Sequence, residues 1–173
     1  MSAAWEKKAA AYAGGGKVKH DGRTPLQKEN EKVCAACNGR CCRKLPGAIF
    51  PQDLGKSKEE IRVKLNAMLE TREYSVDWWE GDDPIYYIRP KTVLDVGLYN
   101  GSWGGECTFF TDGVGCSLTF KERPRECRYL IPYKDGCKID SKKNGREGAA
   151  KAWAKYQDVI LMCAGRKEEE EIV

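Results

Sequence analysis

The chain has 173 residues, with 30 Lys and Arg, 26 Asp and Glu, one His and nine Cys. This length favours a single domain with a core of its own. Leu, Ile, Val and Phe account for only 31 of the 173 residues, below the roughly 20% expected of ordinary globular domains, which indicates a thin aliphatic core. Because a net charge of +4 is too small to keep the chain disordered by self-repulsion, we expect the cysteines to help hold it together.

No run approaches the roughly 20 apolar residues of a membrane span, and residues 1–16 lack the apolar segment of a signal peptide. We therefore expect a cytosolic protein with no membrane partner. Cytosolic cysteines are kept reduced, so their clustering indicates metal binding rather than disulfides. The small positive excess is weak evidence for a nucleic-acid partner.

The first predicted element is a short Ala-rich helix within residues 1–23, which form an N-terminal helix or flexible extension that ends in a glycine-rich linker. Thr24 as N-cap and Pro25 at the first helical position then begin a helix that continues through Val33. Cys34 and Cys37 follow at the end of this predicted helix. The turn at residues 38–39 brings Cys41 and Cys42 back towards that pair.

Ser57 followed by Glu60 forms a capping box, which predicts a second helix that ends near Tyr74. Alternating side chains over residues 74–78 and the run over 85–88 predict one or two short strands. Residues 97–105 are predicted to form a glycine-rich loop. Residues 107–137 lack a sustained hydrophobic period, which is typical of loops held together by a metal. A last helix over about 146–163 has one broad apolar face.

These elements predict an α+β fold: a small, helix-rich single domain with short strands and long loops tied by a cysteine-ligated metal centre. The domain covers residues 24–165, and an acidic tail covers residues 166–173.

Eight cysteines fall into two groups of four: Cys34, Cys37, Cys41 and Cys42, then Cys107, Cys116, Cys127 and Cys137. Two residues between Cys34 and Cys37 let both sulfurs face one ion, as in zinc ribbons and iron-sulfur sites. The adjacent Cys41 and Cys42 point to opposite faces if the segment is extended. Either one of them ligates and the other packs as a small hydrophobe, or the eight thiolates serve two metals.

Soft thiolates select zinc, copper(I) or iron-sulfur clusters, and neither group contains histidine. The single histidine, His20, is interpreted as solvated. A four-thiolate site carries negative charge, which nearby cations would compensate while favouring the thiolate form. The candidates are Arg40, Arg43, Lys44, Lys121, Arg123, Arg125 and Arg128. The alternative is that these side chains are ordinary exposed basic residues.

The run C-A-A-C-N-G-R-C-C-R, followed by G-E-C, D-G-V-G-C-S-L-T-F and E-R-P-R-E-C-R-Y-L-I-P, resembles the YkgJ-type cysteine-cluster family, the CxxCxxxCC proteins regarded as zinc- or iron-chelating domains. The resemblance spans about Cys34 to Pro132. It implies metal ligation by Cys34, Cys37, Cys41, Cys42, Cys107, Cys116 and Cys127, with Arg123, Pro124 and Arg128 around the last. The chain departs from the pattern in its long stretch between the motifs and in Cys137, which the pattern lacks.

Relatives with this motif include a flagellin lysine methylase whose cysteines are associated with an iron-sulfur cluster. This precedent and the adjacent cysteines favour a 4Fe-4S cluster slightly over Zn²⁺. The leading hypothesis is a cytosolic metal-binding protein. The alternatives are an iron-sulfur enzyme that modifies a macromolecule by redox or group transfer, and a zinc-braced module that binds nucleic acid through Arg40, Arg43, Lys44, Arg123, Arg125 and Arg128.

Other motifs carry weaker indications of chemistry. We interpret the carboxylates Asp77, Glu80, Asp82 and Asp83 as a solvated loop rather than a cation site, and Trp78 and Trp79 as core residues rather than stacking platforms. The glycines of residues 101–105 do not match a phosphate-binding loop. Cys163 is predicted to be a buried structural thiol on the last helix.

Overall fold

The computed structural model describes residues 39–80, 83–101, 104–131 and 137–168. Cys34, Cys37 and the helix predicted to begin at Thr24 lie outside the described residues, as does the N-terminal extension. The elements, in chain order, are α1 (Arg40–Lys44), α2 (Pro51–Leu54), α3 (Lys58–Glu70), β1 (Tyr74–Trp79), β2 (Ile85–Pro90), β3 (Phe110–Thr111), β4 (Gly115–Cys116), α4 (Arg125–Arg128), α5 (Ser141–Asn144), α6 (Arg146–Trp153), a 3-10 turn (Ala154–Tyr156) and α7 (Gln157–Glu168). This mixture of helices and short antiparallel strands agrees with the predicted α+β class.

The capping box predicted at the start of α3 is confirmed. The Ser57 hydroxyl accepts a hydrogen bond from the backbone N–H of Glu60 at 3.2 Å, and the Glu60 carboxylate accepts from the backbone N–H of Ser57 at 3.5 Å. The helix ends at Glu70, earlier than predicted, because Arg72 adopts a left-handed conformation with φ 60°. Its buried face consists of Ile61, Leu65 and Leu69.

The predicted strands form one antiparallel hairpin, in which Val76 of β1 lies opposite Ile88 of β2. Loop segments cover both outer edges of this two-stranded sheet. On the β1 side, Val76 N–H donates to the Leu98 carbonyl at 2.9 Å, and on the β2 side Ile49 N–H donates to the Ile88 carbonyl at 2.8 Å. Pairing both edges satisfies backbone groups that would otherwise be open to another chain.

The hydrophobic core lies between this hairpin and helices α3, α6 and α7. Trp153 is fully buried there, and its indole N–H donates to the Ile49 carbonyl at 2.8 Å. Cys163 is buried in the same core, as predicted. The last helix is not continuous over residues 146–163, because the 3-10 turn interrupts it at residues 154–156 and α7 extends to Glu168.

The interpretation of Trp78 and Trp79 as core residues is wrong, since they are 36% and 40% exposed at the end of β1. Alternation along a strand puts one face towards the helices, but the end of β1 extends beyond this cover. Asp77 is buried and paired with Arg89, whereas Glu80 and Asp83 are exposed and Asp82 lies outside the described residues. Among the helices in the described ranges, none has the length and apolar character needed to cross a membrane.

The side-chain amide of Gln157 pairs with the backbone of Tyr86 on β2, and this pairing can be tested. Its amide oxygen accepts from the Tyr86 N–H and its amide nitrogen donates to the Tyr86 carbonyl, both at 2.9 Å. Gln157→Glu keeps the shape but replaces the donor with a second acceptor that faces a carbonyl. We expect this change to lower the free energy of unfolding by about 1–3 kcal/mol, measured by urea titration.

The matched control is Gln52→Glu on α2, where the side chain is exposed. We expect Gln52→Glu to stay within about 0.5 kcal/mol of the original chain. Equal stability of the two variants would contradict the assigned role of Gln157.

Candidate metal centre

Six of the eight predicted ligands lie in the described part of the chain, on separate segments. Cys41 and Cys42 are on α1, Cys107 is in the loop before β3, Cys116 is on β4, Cys127 is on α4, and Cys137 precedes α5. None of these, nor Cys163, forms a disulfide. All six are therefore thiols outside disulfide bonds.

Gly39 starts the helix that carries the first two of these thiols. It has φ 65°, which favours glycine, and a side chain there would collide with the Phe110 ring, since a Cβ would lie 2.0 Å from its Cε2 atom. The helical conformation of α1 also changes the relation between Cys41 and Cys42. Adjacent residues on a helix are about 100° apart rather than on opposite faces, and the Cys42 side chain lowers the pKa of the Cys41 thiol.

Cys107 is held against α1 by its backbone. The Cys107 N–H donates to the Cys42 carbonyl at 2.7 Å, and the Gly105 N–H donates to the Lys44 carbonyl at 2.9 Å. Residues 105–107 therefore run beside residues 42–44. This pairing joins the first cysteine group to the second.

Cys127 is positioned by two carboxylates that anchor its short helix. Glu126 accepts from the backbone N–H of Ala48 at 2.6 Å. Asp53 accepts from the backbone N–H of Arg125 at 3.0 Å and forms an ion pair with Arg128. These contacts hold α4 against residues 47–53. Sequence reasoning missed both carboxylates, because each acts on a segment more than 70 residues away.

The remaining two thiols also face this region. Cys116 lies opposite Phe110 in the β3–β4 pair and acts electrostatically on both Cys42 and Cys107. The Cys137 side chain acts on Cys41 and lowers its pKa. Cys41 is thus influenced by one neighbour in sequence and by one cysteine from the far end of the second group.

The environment gives the thiols unequal pKa values. Hydrogen bonds from Cys137 and Cys42 lower the pKa of Cys41, and its thiolate in turn raises the pKa of Cys42. Burial raises the pKa of Cys107 to about 11. Burial likewise raises the pKa of Cys127 well above that of a free thiol. A negative charge on Cys107 or Cys127 therefore needs a nearby cation to be stable.

Backbone N–H groups favour the thiolate form of three of these cysteines. The N–H groups of Cys42, Phe109 and Gly47 act to lower the pKa of Cys41, Cys107 and Cys127, respectively. Such N–H···S bonds stabilise thiolates and orient metal-ligating sulfurs. Within the described ranges, however, no three Cys, His, Asp or Glu side chains are already arranged as a group that could hold a metal ion.

Most of the predicted nucleic-acid-binding cations are engaged within the protein. Arg43 pairs with Glu106 and Asp112, and Arg128 pairs with Asp53. Arg125 lies 5.1 Å from the Phe50 ring centroid and 5.0 Å from that of Tyr129. Arg123 donates to the Leu118 carbonyl at 3.1 Å. Arg40 and Lys44 are exposed, as is Lys121.

Comparisons with protein-family models, with curated proteins and with solved structures find no match to this chain. The resemblance to the YkgJ-type family therefore rests on the cysteine motifs themselves.

The unequal thiol pKa values predict different alkylation behaviour in the reduced, metal-free protein. The thiolate is the reactive form, so Cys41, whose pKa is lowered, should react before Cys107, whose pKa is about 11. The rate at Cys107 should rise about tenfold per pH unit from pH 7 to 10, and that at Cys41 should change much less. Iodoacetamide labelling followed by peptide mass spectrometry measures both rates. Identical rates and slopes at the two sites would rule out this assignment.

Gly47 provides a second prediction, because it packs against Cys127. A Cβ at this position would lie 2.6 Å from the Cys127 sulfur. Gly47→Ala should push Cys127 away and lower the free energy of unfolding by about 1–3 kcal/mol, measured by urea titration. The control is Gly165→Ala, where a Cβ meets no atom within 4 Å. If Gly47→Ala is as stable as the control, this close packing is not required.

Proposed function

We propose that this chain is a cytosolic metal-binding protein whose cysteine thiolates hold an iron-sulfur cluster or zinc. The observation that carries the proposal is that six thiols on five separate segments interact with one another. Cys42 and Cys137 both act on the Cys41 thiol and lower its pKa. Cys127 interacts electrostatically with Cys41 and Cys107.

The donor set fits such a centre chemically. Sulfur donors select zinc, copper(I) or iron-sulfur clusters over hard cations. Burial opposes the charge on Cys107 and Cys127. A bound cation would offset this cost, so the ligating form of the site depends on metal.

Backbone N–H groups around two of the cysteines also support metal ligation. The Gly47 N–H bond to Cys127 and the Phe109 N–H bond to Cys107 would stabilise the ligating thiolates. When bound, zinc would supply a cross-link between segments, and an iron-sulfur cluster would add one-electron redox chemistry. In either case the described segments would bring Cys41, Cys42, Cys107, Cys116, Cys127 and Cys137 to the centre, and Cys34 and Cys37 would complete the set of eight.

The nucleic-acid alternative receives less support. Four of its six predicted contacts, Arg43, Arg123, Arg125 and Arg128, are used in intramolecular bonds or ring contacts. No contact in the described part of the chain specifically favours the enzymatic alternative. Metal binding is therefore the function that the geometry supports best.

The test is metal analysis of protein purified under nitrogen, together with an acid-labile sulfide assay and a visible spectrum. We expect either iron with comparable sulfide and broad visible absorption, or zinc in colourless protein. Removing the metal with a chelator should also lower the free energy of unfolding, because binding is coupled to folding. Protein that is well folded yet retains neither metal would refute the proposal.

Single cysteine variants locate the centre. Cys41→Ser and Cys107→Ser should each lose most of the bound metal. Cys163→Ser is the matched control, because Cys163 is also buried and outside disulfide bonds but packs in the hydrophobic core. Metal loss in Cys163→Ser equal to that in the other two would show that the loss follows general destabilisation instead of removal of a ligand.

A further inference from the structure

A buried ionic network lies next to the cysteine-bearing segments. Arg89 has no exposed surface, and each of its five guanidinium N–H donors has an acceptor. Nε donates to Asp77 at 2.6 Å. Nη1 donates to Asp95 at 2.5 Å and to the Pro90 carbonyl at 3.0 Å. Nη2 donates to Asp95 at 3.4 Å and to the Asn100 carbonyl at 2.9 Å.

Asp95 connects this arginine to the loop that follows β2. Its carboxylate accepts from the backbone N–H of Thr92 and from the Thr92 hydroxyl, both at 2.9 Å. It also accepts from the Ser75 hydroxyl on β1 at 3.2 Å. The side chain of Asp95 is 2% exposed. Thr92 is thereby held through both its backbone and its side chain.

Thr92 in turn pairs with Cys107. The two residues form an antiparallel bridge, flanked by hydrogen bonds from the Val93 N–H to the Glu106 carbonyl at 2.9 Å and from the Thr108 N–H to the Lys91 carbonyl at 3.0 Å. On its other side Cys107 pairs with Cys42. Three backbone segments therefore lie side by side, from Thr92 through Cys107 to Cys42.

A buried ion network of this kind adds little net stability compared with apolar packing. We propose that Asp95 is a positioning residue for the metal centre, which fixes Thr92 and thereby sets the backbone of Cys107 and Cys42 in place for ligation. This inference rests on the proposed function. The inference adds that Asp95, a buried residue that would not touch the metal, determines where two of the ligands lie.

The test uses the full-length protein, reduced and metal-free, titrated with Co²⁺ as a probe whose visible spectrum reports the ligand set. Asp95→Asn keeps the side-chain shape but removes the charge and one acceptor oxygen. We expect it to weaken Co²⁺ binding about 10- to 100-fold. Its Co²⁺ spectrum should shift towards that of Cys107→Ser, which a purely structural role would not cause.

Two further variants make the result independent of whether Asp95→Asn folds. Thr92→Val replaces the hydroxyl that donates to Asp95 by a methyl group but keeps the backbone N–H bond to the same carboxylate, and it should weaken Co²⁺ binding about tenfold. Thr92→Ser should restore it. Ser75→Ala is the matched control, since it removes a hydrogen bond to the same carboxylate from β1, and its Co²⁺ affinity should change less than about threefold.

The outcomes separate the two hypotheses. If the original chain binds Co²⁺ but Thr92→Val and folded Asp95→Asn keep its affinity and spectrum, the positioning role is wrong and the proposed function stands. If Thr92→Val and Ser75→Ala weaken binding equally, the effect is general destabilisation and the positioning role is again wrong. If the original chain does not bind Co²⁺ at all, the proposed function fails and the positioning role fails with it.

Discussion

Backbone hydrogen bonds, rather than side-chain packing, determine where the cysteine sulfurs lie. The segments that carry them are short: α1 has five residues, β4 two and α4 four. Such elements bury too little apolar surface to be stable alone. Cys107 is instead paired on both sides, with Thr92 and Cys42. Cys127 depends on the carboxylates of Asp53 and Glu126, which bind α4 to residues 47–53.

This arrangement explains how a chain with few aliphatic residues forms a core. The apolar side chains are concentrated between the β1–β2 hairpin and the long helices, where Trp153 fills space beside small residues such as Ala149 and Ala150. Cys107 and Phe110 are buried outside this core. The core therefore stabilises the half of the domain that contains the hairpin and the long helices. Backbone hydrogen bonds from this half position the segments that carry the cysteines.

The sequence predicted the elements whose signals are local. The capping box at Ser57 and the alternation after Tyr74 identified α3 and β1 because each signal lies within the element itself. The helical state of α1 and α4 was missed, since Gly39 is fixed by Phe110 and Glu126 by Ala48. The eight cysteines were predicted as ligands from their spacing, and this stays a prediction. The contacts of Asp95 with Arg89 and Thr92 could not be predicted, because they depend on the three-dimensional arrangement of these residues.

The conformation of α1 bears on whether the cysteines would serve one centre or two. Opposite faces of an extended segment would separate Cys41 from Cys42 and favour two metals. On a helix the two side chains are only about 100° apart, and the Cys42 and Cys137 side chains both lower the pKa of Cys41. Cys127 and Cys116 act electrostatically on the same pair. The helical conformation of α1 therefore removes the geometric reason for assigning Cys41 and Cys42 to separate metals.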